Sequence, residues 1–234
     1  MNREEFLTAV KELGISITDK QLEQLNEYYK ALVEWNKKIN LTSITEEKDV
    51  YLKHFYDSLT LFKEYDLTKD ISLCDVGTGA GFPGVVLKIV FPNLKITLVD
   101  SLQKRLKFLD YVIKLLDLKD VELVHERMED YSKHNEERFD IITSRAVAKT
   151  KILVEISFKA LKISGHLILM KASFEEELSD AEKIIKDIGG KVVDVNTFKL
   201  PIENSQRALI NIKKLRKTGE KYPRSIDKIK KSCQ

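Results

Sequence analysis

At 234 residues, 43% hydrophobic and 33% charged with a net charge of only +3, the chain has the composition of a soluble globular protein and the length of one α/β core plus an appendage. Its apolar runs are strand-sized, against the roughly 20 residues that a membrane helix needs, which argues against a membrane-embedded class. Two scattered cysteines, Cys74 and Cys233, exclude a disulfide scaffold and fit a reducing compartment.

The first 66 residues read as helices. Met1-Asn2-Arg3-Glu4-Glu5 has neither a basic nor an apolar leader region, so no secretory signal is expected and a cytoplasmic location is. Asn2 with Glu5 makes a capping box and Gly14 offers a stop; Thr18 with Gln21 repeats the box. Leu22, Leu25, Tyr29, Leu32 and Val33 then recur at helical spacing. Residues 35–43 read as a loop. A third helix is expected after Thr45, with Val50, His54, Phe55, Leu59 and Phe62 on one side.

From residue 71 strands and helices alternate. Strands are predicted at 71–76, 95–100, 121–125, 139–143 and 166–171, and helices at 85–91, 102–116, 152–161 and 174–188. Two more strands, 191–200 and 207–213, follow without a helix between them, which implies an antiparallel hairpin. The pattern predicts a Rossmann-like α/β fold with a mostly parallel seven-stranded sheet, one antiparallel strand and an N-terminal helical cap. The expected division is 1–66 for the helical region, 67–214 for the core and 215–234 for a basic tail. Residues 213–231 hold nine basic side chains against two acidic ones. Such a tail can attract a polyanion, or it can be a solvated terminus.

The chemistry concentrates at Asp75-Val76-Gly77-Thr78-Gly79-Ala80-Gly81, directly after the first strand. Ligands of doubly wound sheets bind there, beyond the carboxyl ends of the strands. Glycines permit positive φ and let a ligand approach the main chain. Two motifs overlap: Gly77, Gly79 and Gly81 follow an acidic residue, while Gly79, Gly81 and Gly84 match the dinucleotide fingerprint. A carboxylate at Asp75 would oppose a pyrophosphate but suits the cationic amino group of an amino-acid moiety. Asp100, at the end of the second strand, is spaced to grip ribose hydroxyls. With the reversed last strand, these features favour S-adenosylmethionine over a nicotinamide cofactor, and a class I S-adenosylmethionine-dependent methyltransferase over an oxidoreductase. A turn that merely closes a strand-helix corner is the plain structural alternative. Residues 126–130 read as a loop beside the adenine, with Met128 to cover the ring and Glu129 to accept from the exocyclic amine; a solvated loop is the alternative.

The fourth strand ends Thr143-Ser144-Arg145-Ala146, without the Asn/Asp-Pro-Pro-aromatic tetrapeptide of enzymes that methylate exocyclic base amines. Cys74, in a strand expected to be buried, and Cys233, beside the terminus, do not suit nucleophilic attack on a pyrimidine. The four histidines show no metal-ligand spacing, so no metal is expected. An aromatic ring nitrogen remains as a target that needs no proton removal, only proximity and orientation. Arg145 stands where target and cofactor should meet, as the candidate catalytic residue, unless it pairs with a helix-terminal carboxylate.

The chain resembles the RsmG (GidB) family of 16S ribosomal RNA guanine-N7 methyltransferases. The likeness rests on WNKKINLT at 35–42, HFYDSL at 54–59, DVGTGAGFPG at 75–84, SRAVA at 144–148 and KYPR at 221–224, together with Val99-Asp100-Ser101, Lys104-Arg105 and Phe108-Leu109. The resemblance implies cofactor contacts at Gly77, Phe82, Met128, Glu129 and Arg145, and an RNA-facing cleft that includes the N-terminal helices. Asn40, His54, Asp57, Lys171, Tyr222 and Arg224 are the RNA-binding candidates it suggests, and 16S rRNA or the small ribosomal subunit is the expected partner of a monomer. On residue chemistry alone, His54 on an apolar helix face equally suits a satisfied core histidine. The tail departs from the family by reading Ser225-Ile226-Asp227 where a Gly-x-Pro stretch is usual, and Ala172 replaces the usual glycine after Lys171. A small-molecule methyltransferase and a non-catalytic RNA-binding protein are the other readings.

Overall fold

In the computed structural model, residues 1–231 are described; the expectation for Cys233 lies outside them. The strands are β1 (Ser72–Val76), β2 (Lys95–Asp100), β3 (Val121–His125), β4 (Phe139–Arg145), β5 (Leu161–Lys171), β6 (Gly190–Lys199) and β7 (Gln206–Lys214). They form one sheet in the order β3-β2-β1-β4-β5-β7-β6. Neighbours pair in parallel from β3 to β5, while β7 runs antiparallel to both β5 and β6. This is the seven-stranded α/β arrangement that the alternation and the terminal hairpin predict.

Two apolar layers sandwich the sheet, because successive side chains of a strand point to opposite faces. Leu73, Ile96, Leu98 and Ile141 join one cluster with the N-terminal helices α1 (Arg3–Glu12) and α2 (Asp19–Ile39), and with α5 (Gly84–Val90) and α6 (Gln103–Leu115). Cys74, Val76, Val99 and Ile142 join the other with α7 (Met128–His134), α8 (Thr150–Ser157), α9 (Glu175–Asp187) and α10 (Ile226–Lys231). Cys74 is buried, and burial pushes its thiol well above the usual range.

Both N-terminal capping boxes form, with Asn2–Glu5 starting α1 and Thr18–Gln21 starting α2. Gly14 follows α1 with φ +82°. The buried stripe of α2 runs through Leu25, Tyr28 and Leu32, with Leu22 and Tyr29 partly buried against the same cluster. Residues 35–39 belong to α2 and not to a loop. Trp35 packs on Phe108 and Tyr111, with ring centroids 5.6 and 5.4 Å apart, and this extends the helix until Asn40 turns left-handed at φ +45°.

The third helical stretch is irregular: α3 (Glu47–Val50), a π-helical turn (Tyr51–Tyr56), α4 (Asp57–Leu59) and a 3-10 turn (Thr60–Lys63). The π turn buries Tyr51, Leu52, His54, Phe55 and Tyr56 together, and such insertions recur at functional sites. Two other boundaries differ from the periodic pattern. The charged 126–130 stretch is not a loop throughout, since α7 begins at Met128, whose side chain joins the apolar cluster. Strand β5 begins at Leu161 rather than His166, the pairing with β4 shifting register between Phe139 and Ile141.

The basic tail packs on the second apolar layer. Tyr222 and Ile229 are buried, and Arg224 makes three hydrogen bonds to the buried Glu155 of α8, at 3.0, 2.7 and 2.7 Å. Arg216 donates to the carbonyls of Lys186 and Asp187 at the end of α9.

Candidate active site

At the carboxyl end of β1, Gly77, Gly79 and Gly81 take φ of +67°, +60° and +99°, values that side chains with a Cβ adopt only under strain. The turn is tied from several sides. Gly77 N–H donates to the Val99 carbonyl at 2.8 Å, Gly79 N–H to Asp100 Oδ2 at 3.0 Å, and the Tyr28 hydroxyl to the Ala80 carbonyl. A Cβ on Gly77 would lie 2.6 Å from Val147 Cγ2, so the loop after β4 rests on the bare main chain of the turn.

Asp75 sits behind the turn, fully buried. Its Oδ2 accepts from Thr78 Oγ1 at 2.7 Å and from Gly84 N–H at 2.9 Å, while its Oδ1 is buried with no partner among the described residues. Burial pushes its carboxyl up to about 6, against the opposing hydrogen bonds from Thr78 and Gly84. Asp100 is also engaged: Oδ1 accepts from Leu102 N–H at 2.9 Å, and Oδ2 from Arg105 Nη1 at 3.2 Å as well as from Gly79.

Beside the turn lies a cavity of about 390 Å³ whose wall includes Thr42, Gly77, Gly79, Phe82, Asp100 and Arg105. A second, of about 610 Å³, is lined by Ile44, Lys53, Asp57, Met170, Lys171 and Arg207 among others. His54, Arg145, Ala146 and Val147 line both. The two cavities therefore meet across one shared wall.

That wall is built around Arg145, at the end of β4. Its Nη1 donates to the Lys53 carbonyl at 2.7 Å and to Asp57 Oδ2 at 2.9 Å, and its Nη2 donates to His54 Nδ1 at 3.0 Å. The guanidinium lies 5.2 Å from the centre of the Phe82 ring, which stacks on the His54 ring at 4.2 Å and 14°. Because Nδ1 accepts, the neutral imidazole carries its proton on Nε2, which donates to Thr42 Oγ1 at 3.0 Å. Burial, then the positive charge of Arg145, holds His54 down to about 3, so it is uncharged at neutral pH. Asp57 uses its other oxygen to accept from Arg207 Nε at 3.1 Å. Arg145 of β4 and Arg207 of β7 thus converge on one carboxylate, while the π turn meets Arg145 through Lys53 and His54.

The arrangement gathers Gly77, Gly79, Phe82, Asp100, Arg145, His54, Asp57 and Lys171 around the two cavities, with Asp75 and Gly81 immediately behind the turn. Lys171 Nζ donates to the Ala148 carbonyl and to Glu177 Oε2, both at 2.7 Å, and so braces the 146–148 loop. Met128 and Glu129 are buried and line neither cavity. Nor do Tyr222 and Arg224, which the tail commits to the far layer, or the exposed Asn40, whose part here is to end α2. Sequence reasoning missed Thr42, Lys53, Arg105, Val147 and Arg207. Thr42, Arg105 and Val147 lay inside the motifs that carry the resemblance without being singled out, Arg207 showed as an arginine opening the apolar run Ala208-Leu209-Ile210, and Lys53 carried no signal.

Among the described residues no group of three or more His, Cys, Asp or Glu could hold a metal ion, and no helix is long and apolar enough to cross a membrane. The residues at the turn fit a cation-bearing nucleoside. Gly77 and Gly79 present main chain to the smaller cavity, a Cβ on Gly79 would meet only the Gly77 carbonyl at 3.9 Å, Asp75 Oδ1 is an unpartnered buried acceptor behind them, and Asp100 lies on the wall.

Three comparisons with known proteins bear on this geometry. A family model described as GidB, rRNA small subunit methyltransferase G, matches residues 21–215. A ribosomal RNA small subunit methyltransferase G from Bacillus cytotoxicus is 48% identical over 227 residues, covering 96% of this chain and 95% of its own. Among solved structures, precorrin-6y C5,15-methyltransferase from Geobacter metallireducens superimposes with a TM-score of 0.52 at 18% identity, over 75% of this chain and 91% of that one. M. jannaschii TYW2 in complex with AdoMet gives 0.54 at 16% identity, over 68% and 77%. At such identities the two structures speak for the fold alone.

Proposed function

The chain belongs to the GidB family of rRNA small subunit methyltransferase G proteins, and from that premise we propose that it methylates N7 of a guanosine in small-subunit ribosomal RNA, with S-adenosylmethionine as donor. The observation that carries this reading is the wall of Arg145, His54, Ala146 and Val147 shared by the two cavities, one for the donor and one for the target base. The donor supplies an electrophilic methyl group on a sulfonium. Gly77 and Gly79 offer it main chain, Asp100 offers its ribose a carboxylate, and Asp75, which is buried behind the turn and lines neither cavity, supports that turn through Thr78 and Gly84.

A guanine N7 lone pair needs no proton removed before it attacks, so the protein's contribution is orientation and exclusion of water. Of the five N–H groups of Arg145, three are engaged by Lys53, Asp57 and His54. The other two are available to O6 of guanine, where adenine would present an amine and no acceptor. His54 does not exchange protons with the target, because it stays neutral throughout the physiological range. Methylation leaves the base cationic, and the neighbouring guanidinium then favours its release. We place the enzyme in the cytoplasm, acting as a monomer.

The test is transfer of labelled methyl from S-adenosylmethionine to unmodified small-subunit rRNA, followed by identification of the nucleoside. Label in N7-methylguanosine supports the reading. Label in another nucleoside overturns the N7 assignment, and no label in RNA overturns the substrate.

A further inference from the structure

The distribution of charge along the chain points to the tail as the RNA-binding element, and the folded structure points elsewhere. Helices α2 and α6 lie antiparallel: Gln24 Nε2 donates to the Leu116 carbonyl at 2.9 Å, and Trp35 meets Phe108 and Tyr111. Continued by one turn, this register brings Lys38 of α2 alongside Lys104 and Lys107 of α6, while Lys37, two positions after Trp35, leaves α2 on the side away from α6. Arg105, and Leu41 and Thr42 just beyond α2, are themselves on the wall of the donor cavity. Lys38, Lys104 and Lys107 therefore continue outward from Arg105 along the seam of the two helices.

Lys38, Lys104 and Lys107 are exposed, and only Lys38 has an acidic neighbour, Glu34 at 3.7 Å. Lys104 and Lys107 have no ion-pair partner among the described residues. An unneutralised cation on the rim is what a nearby phosphate would need. The tail cations are placed differently. Lys214 is buried against the Phe158 and Leu161 carbonyls, Arg216 caps α9, Lys217 faces Glu136 at 3.4 Å and Arg224 holds Glu155. The exposed Lys228, Lys230 and Lys231 ride on α10, in the layer on the other face of the sheet from α2 and α6. At 0.1 M salt a charge acts over about 10 Å, so only cations near the RNA path count.

We propose that the joined ends of α2 and α6, through Lys38, Lys104 and Lys107, hold the phosphate backbone of the RNA segment whose target base enters the site. This inference rests on the RNA substrate proposed above. It assigns the electrostatic part of RNA affinity to this rim and not to the C-terminal tail.

The experiment compares full-length protein with two variants. One is Lys38→Gln/Lys104→Gln/Lys107→Gln; the other is Lys228→Gln/Lys230→Gln/Lys231→Gln. Affinity for unmodified small-subunit rRNA is measured between 50 and 200 mM salt, with S-adenosylmethionine affinity and thermal midpoint as controls. Each lost phosphate contact lowers the slope of log affinity against log salt by about 0.7–0.9, so the rim variant is expected to lose roughly two units of slope and at least tenfold in affinity. The tail variant is expected to match the parent. An unchanged slope in the rim variant, or an equal loss in the tail variant, overturns the proposal. Methyl transfer by the parent to the same RNA separates the two possible failures. If the parent methylates the RNA and the rim variant keeps its slope, the surface is wrong and the function stands; a parent that does not methylate it overturns both.

Discussion

Two buried groups at the site titrate in opposite senses. Asp75, held near 6, takes up a proton more readily folded than unfolded, so its effect on stability is favourable at low pH and turns into a penalty as pH rises from about 4 through 6. With about 1.4 kcal/mol per tenfold change in proton affinity, Asp75→Asn is expected to stabilise the ligand-free protein at pH 7 by on the order of 3 kcal/mol, read by urea denaturation. A variant equally stable or weaker at pH 7 would remove the penalty from the account. His54, held near 3, resists protonation only when folded, so its contribution is complete above 6.5 and is lost as pH falls from there toward 3. His54→Gln should therefore flatten the acid side of the stability profile. For Arg145, lysine is no substitute, since a point charge cannot satisfy the Lys53 carbonyl, Asp57 and His54 in one plane. Arg145→Lys is expected to reduce methyl transfer at least 100-fold with near-normal donor binding, and single-turnover kinetics beside calorimetry will separate the two effects.

At the level of elements, the loop after β4 and the glycine turn after β1 are coupled through one contact, Val147 on Gly77. Gly77→Ala carries a conformational cost of roughly 1–2 kcal/mol at φ +67° together with that clash. We expect donor affinity to fall tenfold or more, and Val147→Ala in the same chain to restore part of it; additive losses would show that the contact does not transmit the effect. The elements whose chemistry is local were legible in the sequence. Capping boxes, the glycine turn and the strand-helix alternation depend on residues a few positions apart. The extension of α2 through Trp35 was not, because it depends on Phe108 and Tyr111 more than 70 positions away. The π turn was equally hidden, since its apolar spacing resembles that of an ordinary helix although it sets the faces on which His54 and Asp57 emerge.

Across the whole molecule, the helical region and the sheet share one core. Phe6, Tyr28, Leu32, Phe55 and Leu59 lie in the same cluster as α5, α6 and one face of the sheet. A chain beginning at residue 67 would expose that face, and we expect it to be insoluble or to lack a cooperative thermal transition, while the full chain melts in one step. The site is non-local in the same way. Arg145 and Asp100 stood out in the sequence because they follow strands, whereas Asp57 gained its role only from partners 88 and 150 positions further on. That double attachment orders events in time. A ribosome makes Asp57 first, Arg145 much later, and Arg207 near the end. The carboxylate cannot hold both arginines until β7 has emerged and inserted between β5 and β6. A nascent chain stalled before residue 207 would carry the glycine turn but not the finished wall, so competence arrives only with nearly complete synthesis.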